Sequence, residues 1–400
     1  MRHPTPRVAR ILVYAVLAVL AIVPFVVASH STASPASGIN LSSSVQVSFP
    51  NSITFDVEAQ SDATITKLRL HYIVDQQNYA KVVSEGWPQF SPSTSVDTQW
   101  VWDMGESGGL PPGAQVEYWW TAEDTAGERA QTNISTVSFD DNRYNWRSIT
   151  TGPVTLLWYS GNDLFANSLM IAAQQGLQRI ENDIGVTPQG HVRIYIYASA
   201  QDLQGALLFA QRGVVGLAFG GFDIIAIGIA PDQLPLGEGV VPHELTHWVV
   251  HQVTFNNYGA GLPPWLDEGL ATYIQGAAPD YQAALNYAIE NNRLISVRSL
   301  SSPFSAILTQ ALISYGESQS IVTFLIQAYG EDKMNQLLNV FHQGAGYDDA
   351  LKQVYGFDQG GLDVLWRQSL GINIALNPQQ ELALAAEGSF IRPKSQTTKS

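Results

Sequence analysis

The residues Val241-Pro242-His243-Glu244-Leu245-Thr246-His247-Trp248-Val249-Val250 decide how the rest of this 400-residue chain is read. Pro242 suits the first position of a helix, where its missing N–H costs nothing. A helix starting there predicts His243 and His247 one turn apart on one face. Two imidazoles at that spacing can hold one zinc ion, with Glu244 beside them to handle a proton. A catalytic zinc takes three protein ligands and leaves a fourth position for water, whose pKa it lowers to about 7. The chain has eight histidines, so a chance match to His-Glu-x-x-His has a frequency on the order of 0.01 per chain.

The next informative stretch is Pro263-Pro264-Trp265-Leu266-Asp267-Glu268-Gly269-Leu270-Ala271-Thr272-Tyr273. It predicts a second helix after a glycine-containing turn at 258–261. Glu268 lies 21 residues beyond His247, enough chain to end one helix, turn, and return a carboxylate from its neighbour. Two histidines and one glutamate form a known catalytic zinc set. A helix-N-terminal acid favoured by the dipole is the other reading of this acidic pair, and it suits Asp267 better. His251 stands a further turn along; His at i, i+4 and i+8 spans about 12 Å, too far for one ion, so His251 is expected beside the site or at the surface. His71, His191 and His342 are expected to be structural, and Trp248 and Trp265 to pack in the core.

These two stretches together resemble the gluzincin metallopeptidases, and most of all the peptidase MA-like group related to the membrane alanyl aminopeptidases and thermolysin. The resemblance covers roughly 150–370. It implies a zinc ion held by His243, His247 and Glu268, with Glu244 as general base. The run Ser314-Tyr315-Gly316-Glu317-Ser318-Gln319-Ser320-Ile321-Val322 is similar to that group's downstream helices. The group places an oxyanion-binding tyrosine in this region, which makes Tyr315 the candidate; an ordinary aromatic at a helix start is the alternative. The clan's aminopeptidases carry a Gly-x-Met-Glu-Asn strand whose glutamate captures the substrate's free amine. The corresponding region, 216–230, has no glutamate; Asp223 is its only acid and reads as a turn residue. This argues against amino-terminal exopeptidase activity, while a glycine-rich edge strand there can pair with an extended peptide.

Around this core the period of the sequence changes. Upstream, 154–159 and 191–197 read as strands, 164–184 as a helix with Leu169, Ala173, Leu177 and Ile180 on one face, and 213–230 as one or two strands. Downstream, helices are expected at 242–254, 264–275, 280–291, 317–329, 331–343 and 347–354. Residues 45–140 show period-two runs such as 52–59, 65–73, 97–102 and 116–122, separated by turn residues. The expected fold is therefore α+β: an N-terminal β-sandwich resembling fibronectin III or immunoglobulin-like domains (45–140), then a mixed sheet with a mainly helical zincin-type peptidase domain (142–380).

Basic residues Arg2, Arg7 and Arg10 precede an uncharged apolar run, 11–28, which predicts a cleaved export signal or a retained membrane anchor. Residues 29–44 read as a small-residue linker and 387–400 as a disordered tail. Either form of the leader predicts an extracytoplasmic protein, secreted or anchored by 11–28, touching the membrane only through that segment. The chain has no cysteine, which excludes disulfides, thiolate chemistry and Cys-ligated metals. Its formal charge of −15 disfavours nucleic acid as a partner and leaves peptides or proteins. Two other functions stay open on sequence alone. One is a catalytically inactive zincin-fold binding protein. The other is adhesion or wall binding by the β-domain through exposed tryptophans among Trp87, Trp100, Trp102, Trp119 and Trp120.

Overall fold

The computed structural model describes residues 38–78, 80–208, 214–259, 261–276 and 278–372. The segments read as signal or anchor (1–28) and tail (387–400) lie outside the described residues, as do 29–37 of the linker and 373–380 of the peptidase domain. No helix among the described residues is long and apolar enough to cross a membrane.

Strand β1 (Asn40–Ser48) begins inside the stretch read as linker. Its serines hide the period, yet every residue pairs along β2 from Asn40↔Gln60 to Ser48↔Ser52. The next strand, β2, runs from Ser52–Val74, where two shorter strands were expected. The polar residues between them form a bulge, with register shifts after Gln60 and Ile65. There Ser61 Oγ donates to the Asp124 carboxylate at 2.7 Å. Strands β3 (Ser84–Gly86), β4 (Ser93–Asp103), β5 (Ala114–Asp124), β6 (Arg129–Gln131) and β7 (Ser135–Phe139) complete an antiparallel set, with a short helix α1 (Met104–Ser107) after β4.

The expectation of two separate sheets is corrected. The first half of β2 lies between β1 and β4, its second half between β5 and β3, so hydrogen bonds join all seven strands into one sheet. The bend in β2 brings the two halves face to face. Phe55 meets Tyr118 at 5.0 Å between ring centroids, although the ladder pairs Phe55 with Val45 and Trp100, and Tyr118 with Tyr72. Ile53, Phe55, Val57, Leu70, Val116, Trp120 and Phe139 fill the space enclosed.

The second sheet has the order β11-β12-β10-β9-β8, built from β8 (Arg147–Thr151), β9 (Val154–Trp158), β10 (Val192–Tyr197), β11 (Gly216–Phe219) and β12 (Ile224–Gly228). Strands β9, β10 and β12 are parallel; β8 and β11 are antiparallel edges. Both faces are buried, and the period of two divides them. Val192, Ile194, Ile196, Ile225 and Ile227 face the helices. Tyr195, Tyr197, Ile224 and Ala226 belong instead to the core of the N-terminal sheet.

The crossover 141–146 locks this junction. Asp141 is 1% exposed and takes Arg143 through two nitrogens at 2.6 and 2.8 Å and the Tyr197 hydroxyl at 3.0 Å. Trp146 donates its indole N–H to the Asp141 carbonyl at 2.8 Å, and Arg143 also donates to the Gly205 carbonyl at 2.8 Å. The two regions expected as independent domains thus share one apolar core across the sheet. Calorimetry of the full chain should show one cooperative unfolding transition for both. A chain starting at Asn142 should bind a hydrophobic dye, because the Tyr195–Tyr197 face loses its cover. Two resolved transitions would contradict the shared core.

The helices are α2 (Asp163–Arg179), which runs on as a π-turn over Ile180–Ile184, α3 (Ala200–Gln204), α4 (Leu234–Thr254), α5 (Pro264–Gln275), α6 (Pro279–Glu290), α7 (Leu308–Tyr329), α8 (Glu331–His342), α9 (Tyr347–Tyr355) and α10 (Gln359–Ser369). Leu169, Ala173, Leu177 and Ile180 are all buried, as their spacing predicts. Helix α4 starts eight residues before Pro242, which is therefore an interior proline and not the first residue. It forgoes one backbone hydrogen bond and packs on Gly176 of α2, where a Cβ would come within 2.6 Å of its own. Helix α10 escaped the sequence reading because Gly360 and Gly361 weaken its first turn; Asp358 caps it through the Gly361 N–H at 3.0 Å.

Helix α7 carries a fully buried acid, Glu317, whose two oxygens accept the Ile295 N–H at 3.2 and 3.0 Å. Burial pushes its pKa up to about 8. The folded state then holds a proton that the unfolded chain releases near pH 4.3, so stability falls as pH rises from there to about 8. Glu317→Gln should flatten that dependence. Melting temperatures between pH 5 and 8 that fall as steeply in the variant as in the wild type would refute this.

Candidate metal centre

Helix α4 presents His243 and His247 on one face, with Nε2 atoms 3.2 Å apart. Helix α5 brings Glu268 to them, its Oε2 lying 3.4 Å from His243 Nε2 and 3.6 Å from His247 Nε2. Close packing sets α5 in this place: at Gly269 a Cβ would lie 2.7 Å from the Ser318 carbonyl oxygen of α7. The three donor atoms form a nearly equilateral triangle. Tetrahedral ligands at about 2.0–2.1 Å from zinc stand roughly 3.3–3.4 Å apart, so the set fits that ion. Glu268 Oε2 is buried and accepts no hydrogen bond, an arrangement that suits a metal ligand and is costly otherwise.

The outer atoms of the two rings are held as well. His243 Nδ1 meets Gln275 Oε1 at 3.0 Å. His247 Nδ1 meets Asp267 Oδ1 at 3.0 Å. An acceptor at Nδ1 keeps the proton there and leaves Nε2 free to ligate. Asp267 does lie in the first turn of α5, as a dipole-favoured acid should, but its oxygens turn to α4: the second accepts from His251 Nε2 at 3.1 Å. That contact also places His251, which stands beside the trio and outside it. Sequence reasoning missed Gln275, although it lies seven residues after Glu268 and hence on the same helical face.

Glu244 is buried against the edge strand β11. A Cβ at Gly216 would meet its Oε1 at 2.5 Å, so only glycine lets the strand lie on the carboxylate. Burial raises the pKa of Glu244, opposed by His243 and His247, and the Ala218 backbone N–H faces it. At Glu268 burial is outweighed by the two histidines, which lower its pKa to about 2. At His247 burial pulls the pKa down, yet Asp267 and Glu268 prevail and hold it well above 6.5.

Tyr315 lies on α7 with its ring stacked on Tyr281 at 5.6 Å and edge-on to Phe304 at 5.3 Å. Burial and the charges of Glu268, Tyr281 and Glu244 raise its pKa, so the phenol stays protonated and able to donate. Gly316 admits the Tyr281 carbonyl where any Cβ would clash, which seats α6 on α7 and places Tyr281 beside Tyr315. Among the other expected residues, Trp265 is fully buried, and Trp248 is buried with its indole N–H donating to Asp223 Oδ1 at 2.8 Å. His71 stacks on Trp119 at 5.2 Å, and His191 bonds Thr155 Oγ1 at 2.7 Å. Asp223 is a turn residue with φ +52.

Residues 172–372 match the sequence model of a family described as the Peptidase MA superfamily. The match spans half of the chain, and the chain belongs to that superfamily. No curated protein shows significant sequence similarity. Among solved structures, a two-domain M1 zinc metallopeptidase variant bound to L-arginine is 12% identical, over 85% of this chain and 94% of that one, with a TM-score of 0.35. Aminopeptidase A of Legionella pneumophila, in complex with aspartic acid, is 8% identical over 82% of this chain and 49% of its own, with a TM-score of 0.36. A family 56 carbohydrate-binding module that binds β-1,3-glucan is 16% identical over 24% of this chain and 98% of that chain, with a TM-score of 0.17.

Zinc must displace the proton that Asp267 and Glu268 hold on His247. Its apparent affinity should therefore rise with pH, by about tenfold per unit for each proton released, and level off once His247 titrates. Asp267→Ala should weaken zinc binding roughly 10–100-fold and move the levelling to lower pH. Chelator-competition titrations between pH 5.5 and 8.5 measure both effects; an unchanged affinity would remove Asp267 from the site.

Proposed function

We propose that this protein is an exported zinc-dependent peptidase, with zinc held by His243, His247 and Glu268 and with Glu244 as general base. The observation that carries the reading is the triangle of three donor atoms beside a buried glutamate whose pKa burial raises. Zinc held there supplies an activated water and polarises the scissile carbonyl. Glu244 takes the proton of the attacking water and passes it to the leaving amine; its raised pKa suits both duties. The protonated Tyr315 phenol is a donor for the oxygen on which charge develops. Export rests on the sequence of residues 1–28.

The edge strand supports a peptide as substrate. Gly228 N–H bonds the Val215 carbonyl at 2.8 Å. By alternation Leu217 and Phe219 also face β12, and the backbone groups of Gly216 and Ala218 point off the sheet. An extended chain laid there would run past Glu244. β11 carries no acid to receive a terminal amine, which favours cleavage within a peptide. A glycan-binding face on the N-terminal sheet finds less support: Trp120 is fully buried, Trp119 is stacked on His71, and Trp87, 59% exposed, carries the Arg69 guanidinium on its ring.

Glu244→Gln should keep about one zinc per chain, since it removes no ligand, and lower hydrolysis of a labelled casein at least roughly 100-fold. Turnover near the wild-type rate with zinc retained would exclude Glu244 as the base.

A further inference from the structure

Glu244, Trp248 and Gln252 stand at i, i+4 and i+8, one continuous stripe of α4 about 12 Å long. The hairpin of β11 and β12 lies along that stripe. At one end Gly216 rests on the Glu244 carboxylate. At the other the hairpin turn ends in Asp223, whose Oδ1 accepts from Trp248 Nε1 at 2.8 Å and from Gln252 Nε2 at 3.1 Å. Gln252 is itself fixed by Gln189, through N–H to Oε1 at 3.2 Å and Nε2 to the carbonyl at 2.9 Å. The turn is held from the other side too: Gln77 N–H, from the loop after β2, donates to the Gly221 carbonyl at 2.8 Å. Asp223 adopts φ +52, a left-handed conformation that Asp and Asn tolerate and most other side chains resist.

We infer that Asp223 is a positioning residue: by tying the hairpin turn to Trp248 and Gln252 it fixes the height of β11 against Glu244, and so the register of a bound extended peptide. The residue touches neither metal nor substrate. It acts through the strand, five residues from Ala218 and seven from Gly216, whose backbone groups point off the sheet. With the tie removed, the turn keeps its pairing through β12 and the Gln77 contact but loses its anchor on α4, so β11 can shift relative to the helix that carries Glu244. The inference rests on the reading of β11 as the peptide-binding edge, and the experiment separates the two.

Two probes are compared on the full-length zinc-loaded chain by calorimetry. Acetohydroxamate engages the metal alone; an N-acetylated tripeptide hydroxamate also needs the edge strand. In the wild type the tripeptide probe should bind more tightly than acetohydroxamate. Asp223→Ala should weaken the tripeptide probe about tenfold, the loss of hydrogen bonds to a charged acceptor, and leave acetohydroxamate within about twofold. Asp223→Asn, which keeps the acceptor and the left-handed backbone, should restore most of the difference. If Asp223→Ala does not fold, Trp248→Phe combined with Gln252→Ala removes the donors and leaves the turn residue in place, with the same expected loss. Full retention of the tripeptide advantage in either variant would overturn the role of Asp223. A wild type that binds both probes equally would overturn the edge-strand reading, and the inference with it.

Discussion

The pitch of helix α4 is the constraint on which the site depends. At 3.6 residues per turn, positions four apart form slowly drifting stripes, and two adjacent stripes do different work. His243, His247 and His251 face α5, where Glu268, Asp267 and Gln275 meet them. Glu244, Trp248 and Gln252 face the β11–β12 hairpin. The helix therefore fixes the histidines and Glu244 in one rigid frame, and aims them at two neighbours, an acidic helix and an open strand. Both neighbours are seated through a glycine. Gly269 seats α5 on α7 and Gly216 seats β11 on Glu244.

Electrostatics complete this frame. His243, His247 and Glu268 lie within hydrogen-bonding or ion-pairing reach of one another in a largely buried place, and Asp267 joins them through His247. Burial alone would neutralise His247, Asp267 and Glu268. Their mutual pairing instead keeps both carboxylates ionised. Glu244 lies outside this pairing and its pKa moves up. Two glutamates of the same site thus differ in character because one faces two imidazoles closely and the other faces an apolar strand.

Much of this was legible in the residues. The spacing of His243 and His247 is a property of helices in general, and Glu268 needed only enough chain to return. The buried face of α2 followed from period. Other features depend on tertiary contacts that no local pattern reports. Pro242 looked like a helix start because the eight helical residues before it include two glycines and a second proline, Pro235; packing against Gly176 overrides that. The bulge in β2 looked like a turn because Ser61 is polar, and its partner Asp124 is distant in sequence. Asp267 looked like a dipole acid because the two histidines that it bonds lie on another helix. The two-sheet expectation failed for a related reason. Alternation shows which residues face a core, and it is silent on whether one strand serves both halves.

The junction at Asp141 bears on how such a chain could change over time. A module joined by a bare linker can be exchanged for another as a cassette. Here the outward face of the second sheet carries Tyr195, Tyr197, Ile224 and Ala226, buried in the neighbouring core, and the crossover is tied to that face by Tyr197 and Gly205. A replacement N-terminal sheet would have to arrive with a matching apolar surface and its own answer to the Arg143–Asp141 pair. The two halves are therefore bound to be inherited together, and substitutions on one side of the junction constrain those accepted on the other.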